Sequence, residues 1–196
     1  MDNMKLKNAG FSLVELIVTM AIASILVGGV SFSVSLAFSK DAARCATILN
    51  DTLSSVRMDS MSRPGDYTVE IKDENDGGSP SKYVAVVTCK EDRPGEEPLD
   101  IIPPETIYLE GDAGENRIKT ITATLESSGS SIPLMDASSH SVKISFDKSK
   151  GYVKTGAGTD IPDEGIIVFH IEPVRGSREE DVSLITSTGK HTIGTY

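Results

Sequence analysis

Residues 10–38 read GFSLVELIVTMAIASILVGGVSFSVSLAF, and this apolar stretch organises the rest of the chain. No Lys or Arg occurs between Lys7 and Lys40, and Glu15 is the single charged residue in that interval. A helix over residues 11–38 would be about 42 Å long at ~1.5 Å per residue, whereas the hydrocarbon core of a bilayer is ~30 Å thick. The pattern therefore predicts a helix that can span a membrane.

Glu15 is the unexpected residue of this stretch, because a carboxylate inside lipid costs roughly 2.5–3.5 kcal/mol on insertion scales and less near the interface. A charge in such a position is a functional hypothesis that needs a partner. Cleavage after Gly10 would create a new amino terminus at Phe11, four residues before Glu15. That amine could pair with the carboxylate of its own chain or of a neighbouring chain.

The junction resembles the class III signal of type IV prepilins and of the pseudopilins of type II secretion. A short basic leader, Lys5-Leu6-Lys7-Asn8-Ala9-Gly10, is followed by Phe11-Ser12-Leu13-Val14-Glu15-Leu16. The resemblance implies cleavage after Gly10 by a prepilin peptidase, N-methylation of Phe11, and pairing of Glu15 with the terminal amine of an adjacent subunit. It also implies other pilin or pseudopilin subunits, an inner-membrane assembly platform and membrane lipid as partners.

Two other interpretations of the apolar run stay open. A conventional secretory signal would end in small residues near position 38, although its apolar region is usually only roughly 7 to 15 residues long. A plain single-span anchor fits the length and leaves the charge at Glu15 unexplained.

Charge and size limit the topology, the number of domains and the partners that the chain can have. By the positive-inside rule, Lys5 and Lys7 predict a single-pass membrane protein with a cytoplasmic leader and an extracytoplasmic C-terminal domain. After processing, the resemblance places the subunit in a cell-surface or periplasmic filament. The rest of the 196-residue chain has the size of one domain. Its net charge of −10 disfavours binding to phosphate backbones, so we expect no nucleic acid as a partner.

Beyond the apolar run, hydrophobic residues recur at steps of three and four, which predicts an amphipathic helix that lies on a sheet. They are Ala42, Ala46, Leu49, Leu53 and Val56. Arg63-Pro64-Gly65 should end this helix, because Pro disfavours helix at the residue before it. The expected parts are a leader at 1–10, a transmembrane or filament-core helix at 11–39, an amphipathic continuation at 40–63 and a β-rich globular domain at 64–196.

The globular part alternates β-rich segments with turn residues, and no second helical pattern of comparable length occurs in it. The expected strands are 67–71, 82–89, 106–110, 117–126, 141–147, 152–155, 165–172, 181–186 and 190–194. The sequence thus predicts an α+β fold, in which a long N-terminal helix packs through its amphipathic half on an antiparallel β-sheet domain. This is the arrangement that the resemblance to pilins implies.

The C-terminal third resembles the domain of H-type minor pseudopilins. The resemblance rests on the strand-like segments 142–147 and 165–171, the Gly151 turn between them, and a hairpin with a Thr188-Gly189 turn. It implies that Arg57 matches the arginine of that domain's second helical stretch. Major pilins usually carry Pro in the middle of the apolar helix, where this chain has Phe32, so we expect a minor subunit.

Cys45 and Cys89 are the two cysteines of the chain. In an oxidising extracytoplasmic space they can form one disulfide bridge, which would join the amphipathic helix to a strand. They can also stay free as buried thiols. The sequence leaves both states open.

We expect a non-enzyme without cofactor or metal. The run Asp73-Glu74-Asn75-Asp76-Gly77 does not match an EF-hand, because Gly77 and Val84 occupy ligand positions of that loop. The three histidines lie far apart in the sequence, and no nucleophile elbow, phosphate loop or Cys-x-x-Cys motif occurs.

Two rival functional hypotheses remain beside a filament subunit. One is a monomeric membrane-anchored extracytoplasmic domain that binds a surface ligand. The other is a DNA-binding minor pilin of a competence system, for which Arg175, Arg178 and Lys190 are the only hint of a basic patch.

Overall fold

The computed structural model describes residues 12–38, 40–75, 81–91, 99–110, 117–127, 130–136, 139–154, 165–175 and 178–194; in the first range, side chains are described for residues 12–28. The chain divides into two compact units, Met1–Phe38 and Ser39–Tyr196. The described part of the first unit is helix α1, Leu13–Phe38.

Helix α2, Lys40–Ser62, opens the second unit and buries one stripe of side chains. The stripe consists of Ala42, Cys45, Ala46, Leu49, Thr52, Leu53, Val56 and Ser60. The predicted amphipathic face is therefore the one that packs against the rest of the domain. Ser39, where the apolar helix was expected to pass into the amphipathic one, lies outside the described residues.

Ten strands form two antiparallel sheets in the described residues. The first sheet has the order β3-β2-β1-β6-β7 and consists of β1 Asp66–Asp73, β2 Tyr83–Glu91, β3 Leu99–Tyr108, β6 Ser141–Phe146 and β7 Val153–Lys154. The second has the order β10-β9-β8-β4-β5 and consists of β4 Ile118–Ser127, β5 Ser130–Met135, β8 Ile166–Pro173, β9 Glu180–Ile185 and β10 His191–Ile193. The predicted α+β class with antiparallel strands is confirmed, with two sheets in place of one.

The core of the second unit lies where α2 meets both sheets. The helix packs on β1 and β6 of the first sheet and on β8, β9 and β10 of the second. Leu49 and Leu53 are fully buried there, and each such side chain stabilises the fold by roughly 1.5–3 kcal/mol. Strands β1 and β8 alternate strictly between buried and half-buried residues, as expected for sheets with one face on a core.

The two sheets also meet through backbone hydrogen bonds at one end of the unit. Val153 N–H in β7 donates to Thr186 O, at 2.9 Å, just after β9. Thr186 N–H in turn donates to Gly165 O, at 2.9 Å, just before β8. The short strand β7 therefore links the first sheet to the second.

Candidate functional site

Glu15 lies in the first turn of α1. The N–H of Leu16 donates to Ser12 O at 3.1 Å, so Ser12 is the residue that caps the helix and Glu15 is the third residue within it. Ser-x-x-Glu at this spacing is the capping-box pattern. A negative charge is also favoured there, because the N-terminal end of a helix carries a partial positive charge. The sequence interpretation missed Ser12, although the pattern is visible in the sequence.

The described side chains of α1 are exposed and mostly apolar on every side of the helix. Leu13 is 76% and Ile25 is 74% exposed, and no face of this segment is distinguished by polarity. A helix that is apolar all round is normally surrounded by other helices or by lipid. Among the residues described with their side chains, no helix is both long and apolar enough to cross a membrane. The membrane-spanning half of the predicted helix stays a prediction.

Two hydroxyls among the described side chains of α1 are satisfied within the helix. Thr19 Oγ1 donates to Leu16 O at 2.9 Å, and Ser24 Oγ donates to Met20 O at 2.8 Å. Because these groups need no outside partner, Glu15 remains the charged side chain of residues 12–28 that an apolar environment would have to accommodate. The cleavage junction at Gly10 and Phe11 lies outside the described residues.

A charged cluster ties the beginning of α2 to the residues before β4. Arg117 Nη1 lies 3.3 Å from Asp41 Oδ1, and the backbone N–H of Arg117 donates to Glu110 Oε2 at 3.2 Å. Glu110 is only 6% exposed, and its Oε1 has no hydrogen-bond partner among the described residues. Burial raises the pKa of the Glu110 carboxyl. The Cys45 thiol is buried as well, and desolvation, with the charge of Glu110, raises its pKa.

Cys45 and Cys89 are both free and buried in this structure. Cys89 Sγ lies 3.9 Å from Pro64 O, just beyond the end of α2, whereas Cys45 lies near the beginning of that helix. About 25 Å of helix separate Cys45 from Ser62, but a disulfide requires Cα atoms within about 7 Å. The structure therefore has no bridge between them, which is the second of the two states that the sequence allowed.

Arg57 fastens α2 to two turns of the sheets. Its Nε donates to Gly151 O at 3.1 Å, and its Nη2 donates to Thr188 O at 2.9 Å. About one turn earlier in the helix, Ser54 Oγ and His191 Nε2 lie 2.9 Å apart. Arg57 is the arginine that the resemblance to H-type minor pseudopilins picked out in the sequence. In the structure it connects the helix to both sheets.

Gly151 and Gly189 make this arrangement sterically feasible. They have φ angles of +67° and +63°, and a Cβ added to Gly189 would lie 1.9 Å from Gly151 O. Gly189 can lie this close to the Gly151 carbonyl only because it has no side chain, and the positive φ of both residues also favours glycine. We call the group formed by Arg57, Gly151, Thr188 and Gly189 the Arg57 clasp.

The remaining candidate residues are occupied by local contacts. His170 Nδ1 lies 2.7 Å from Asp181 Oδ1, and its Nε2 lies 3.3 Å from Glu179 Oε2. Arg178, from the suggested basic patch, pairs with Glu180 at 2.7 Å. In the described part of the chain, no group of three or more His, Cys, Asp or Glu residues is arranged to hold a metal ion.

Comparison with known proteins gives one match. The family described as "Prokaryotic N-terminal methylation motif" matches residues 5–31. Neither the curated proteins nor the solved structures include a match to this chain. The matched segment contains Gly10, Phe11 and Glu15, and it supports a type IV pilin-like precursor that is processed by a prepilin peptidase and assembles with other pilins.

Proposed function

We propose that this chain is the precursor of a minor pilin or pseudopilin, cleaved after Gly10, N-methylated at Phe11, and assembled into a type IV pilus-like or type II secretion filament. The observation that carries the proposal is the position of Glu15. It is the single charge of an otherwise apolar segment, it lies in the first turn of α1, and it falls within the matched methylation motif.

Hydrolysis of the Gly10–Phe11 peptide bond creates the cation that this carboxylate lacks. The new amine of Phe11 precedes Glu15 by about one turn of helix, or ~6 Å. In a filament, the amine of one subunit would pair with Glu15 of its neighbour and so offset the cost of burying either charge alone. Because a displaced neighbour would leave both charges unpaired, the pair would also fix the axial register of the subunits.

The exposed apolar surface of α1 supports the same path. Before processing, the helix would anchor the chain in the inner membrane with the leader in the cytoplasm. After processing, the assembly platform would transfer it into a core of packed helices. Thr19 and Ser24 bond within the helix, so neither hydroxyl would be left unsatisfied in lipid or in a filament core.

The Arg57 clasp supports the finer assignment to the H-type minor pseudopilins. The resemblance rested on an arginine in the helix and on two glycine turns in the C-terminal third. In the structure, the guanidinium of Arg57 binds the carbonyl of Gly151 in one turn and that of Thr188 in the other. The arginine and the two glycine turns on which the resemblance rests are therefore in direct contact.

The test is processing of a Gly10→Val variant in the native host, read as the intact mass of the purified chain. We expect the wild-type chain to begin at Phe11 and carry one N-terminal methyl group, and the variant to retain residues 1–10. Gly28→Ala is the matched control, since a Cβ at Gly28 meets nothing within 4 Å; it should be processed normally. A Gly10 variant that loses its leader like the wild type would contradict the proposal.

Cross-linking through a cysteine placed at Ile25 separates a filament subunit from an isolated membrane-anchored domain. Ile25 is highly exposed, whereas both natural cysteines are buried. A subunit should give a ladder of products with other pilins, and an isolated anchored domain should give none.

A further inference from the structure

A buried carboxyl lies next to the first turns of α2. Glu110 follows β3 and is only 6% exposed. Its Oε2 accepts the backbone N–H of Arg117 at 3.2 Å, whereas its Oε1 is enclosed and has no hydrogen-bond partner within the described part of the chain. An enclosed oxygen without a partner costs free energy, and the cost grows when the carboxyl is charged. The Glu110 carboxyl is therefore better accommodated as the neutral acid.

Two residues near the beginning of α2 adjoin this carboxyl. Cys45 is buried, and the charge of Glu110 contributes to the raised pKa of its thiol, so the two side chains lie within electrostatic range of each other. One turn earlier, Asp41 Oδ1 lies 3.3 Å from Nη1 of Arg117, the residue whose N–H binds Glu110. Movement of the first turns of α2 would therefore let water reach the Glu110 carboxyl.

The first turns of α2 are held less firmly than its middle. Their buried side chains are the small ones of Ala42, Cys45 and Ala46, whereas Leu49 and Leu53 follow. Because apolar stabilisation grows with the area removed from water, the small side chains contribute less. The ion pair between Asp41 and Arg117 is partly exposed, and such pairs add little. The beginning of α2 can therefore open while the rest of the domain stays packed.

The groups that surround Glu110 do not offset the cost of its charge. Burial is the largest cause that raises the pKa of its carboxyl, and the negative charge of Asp73 raises it further. The backbone N–H groups of Arg117 and Tyr83 and the charge of Lys82 lower that pKa, but they do not cancel the rise. The charged and titratable groups around Glu110 are Asp41 and Cys45 of α2, Asp73 of β1, Lys82 and Tyr83 at the start of β2, and Arg117 before β4.

We propose that Glu110 is a pH-dependent switch for local opening of α2: the neutral carboxyl allows the first turns of the helix to stay closed, and loss of its proton to solvent favours their opening. The closed state binds the proton more tightly than the open state, in which water hydrates the carboxyl. Opening is therefore rarest in the ordinary carboxyl range and increases as pH rises to the raised pKa, above which it is constant.

The proposal goes beyond filament assembly and does not depend on it. Helix α2 is the element that follows α1 in the chain, so opening of its first turns would lengthen the connection between the two units. The switch would thereby link the pH of the surroundings to the freedom of the globular domain.

The test is the rate at which N-ethylmaleimide labels Cys45 in the full-length chain in a zwitterionic detergent, between about pH 5 and pH 8. The reagent reacts with exposed thiols, and both cysteines are buried, so labelling reports opening. Peptide mass spectrometry reads the two cysteines separately. The ratio of the wild-type rate to the Glu110→Gln rate cancels the pH dependence of the reagent. We expect this ratio at Cys45 to rise with pH, by about tenfold for each unit by which the pKa is raised.

Cys89 is the internal control, because it lies against Pro64 beyond the other end of α2. Its rate ratio should stay near one at low urea concentrations. Labelling of Cys45 should not change with urea there, since a local opening exposes little surface, whereas global unfolding is strongly promoted by urea.

Glu172→Gln is the matched control variant, since it makes the same chemical change at a carboxyl whose pKa is lowered by Lys119. It should leave the pH dependence of Cys45 labelling as in the wild type. The proposal is overturned if the ratio at Cys45 is independent of pH, if the ratio at Cys89 rises equally, or if Cys45 labelling follows global unfolding in urea.

Discussion

At the scale of single residues, Glu15 has two physical roles that a single substitution can separate. As the third residue of α1 it fits a capping box with Ser12, and as a charge it would pair with a neighbour's amine. A glutamine at this position keeps the capping role, because capping boxes use Glu or Gln alike, but it removes the charge. The two roles therefore predict different behaviour for Glu15→Gln.

We expect Glu15→Gln to be cleaved normally and to be absent from filaments sheared from the cell surface or reconstituted from the secretion system. Ser12→Ala is the complementary control. It should weaken the helix by about 1 kcal/mol through loss of the cap and still enter filaments. Immunoblots of the filament and membrane fractions would measure both. Normal incorporation of Glu15→Gln would mean that capping alone explains the carboxylate.

Glu110 provides a pH-dependent contribution to stability. Burial, as the largest cause, raises the pKa of its carboxyl above the ordinary value, so the folded state binds this proton more tightly than the unfolded state does. The folded state is therefore penalised as pH rises from the ordinary carboxyl range through the raised pKa. Each unit of the rise corresponds to about 1.4 kcal/mol.

We expect Glu110→Gln to raise the melting temperature relative to wild type at about pH 8, and to make little difference at about pH 4, where the carboxyl is largely protonated in the folded and the unfolded state. Glu172→Gln is a control with the opposite sign, because the hydrogen bond from Lys119 lowers the pKa of Glu172. Its variant should be slightly less stable at the higher pH. Thermal melts across this range measure both differences, and a Glu110→Gln difference independent of pH would contradict the prediction.

At the scale of secondary-structure elements, the sequence predicts the helices and strands in which apolar residues recur at a regular spacing. The stripe of α2 follows the helical repeat, and β1 and β8 alternate because each has one face on the core. For such elements, burial along one side determines the order of apolar residues.

Sequence patterns missed part or all of one edge strand in each sheet, whereas the opposite edges, β7 and β10, were expected. Strand β5 contains Pro133, and the first half of β3, which includes Pro103 and Pro104, was also not expected to be a strand. Proline is tolerated at an edge because the strand needs hydrogen bonds on one side only. Most of β3 is exposed, so it also lacks the alternation that a core-facing strand would show.

The candidate sites differ in the same way. Gly10, Phe11 and Glu15 are close together in sequence, so a local motif identifies them. The Arg57 clasp draws its residues from a helix and two turns that are far apart in the chain and meet only after the two sheets have formed. No spacing in the sequence could have shown that Arg57 contacts Thr188.

At the scale of the whole molecule, the Arg57 clasp joins α2 to both sheets. Gly189→Ala should destabilise the second unit by more than about 3 kcal/mol or prevent its folding, because the new Cβ would overlap Gly151 O and a positive φ disfavours any side chain. Arg57→Met should have a smaller effect, of about 1–3 kcal/mol, since it leaves two carbonyls without a charged donor.

Gly194→Ala is the control for the glycine substitution. Gly194 also has a positive φ, of +109°, but a Cβ there meets nothing within 4 Å, so the cost should be the backbone strain of about 1–3 kcal/mol alone. Urea denaturation of the three variants would measure the differences. Equal losses for Gly189→Ala and Gly194→Ala would show that the close approach of the two turns is unimportant.

The position of the clasp in the chain has a consequence for biosynthesis. A ribosome makes α2 early, but the carbonyls that receive Arg57, at Gly151 and Thr188, emerge late. Until then the apolar face of α2, which includes Leu49 and Leu53, is not fully covered by the sheets. Contacts between positions so far apart in the chain form slowly. The nascent domain would thus depend on holding chaperones, and a premature stop before codon 188 would yield a polypeptide that quality-control proteases remove.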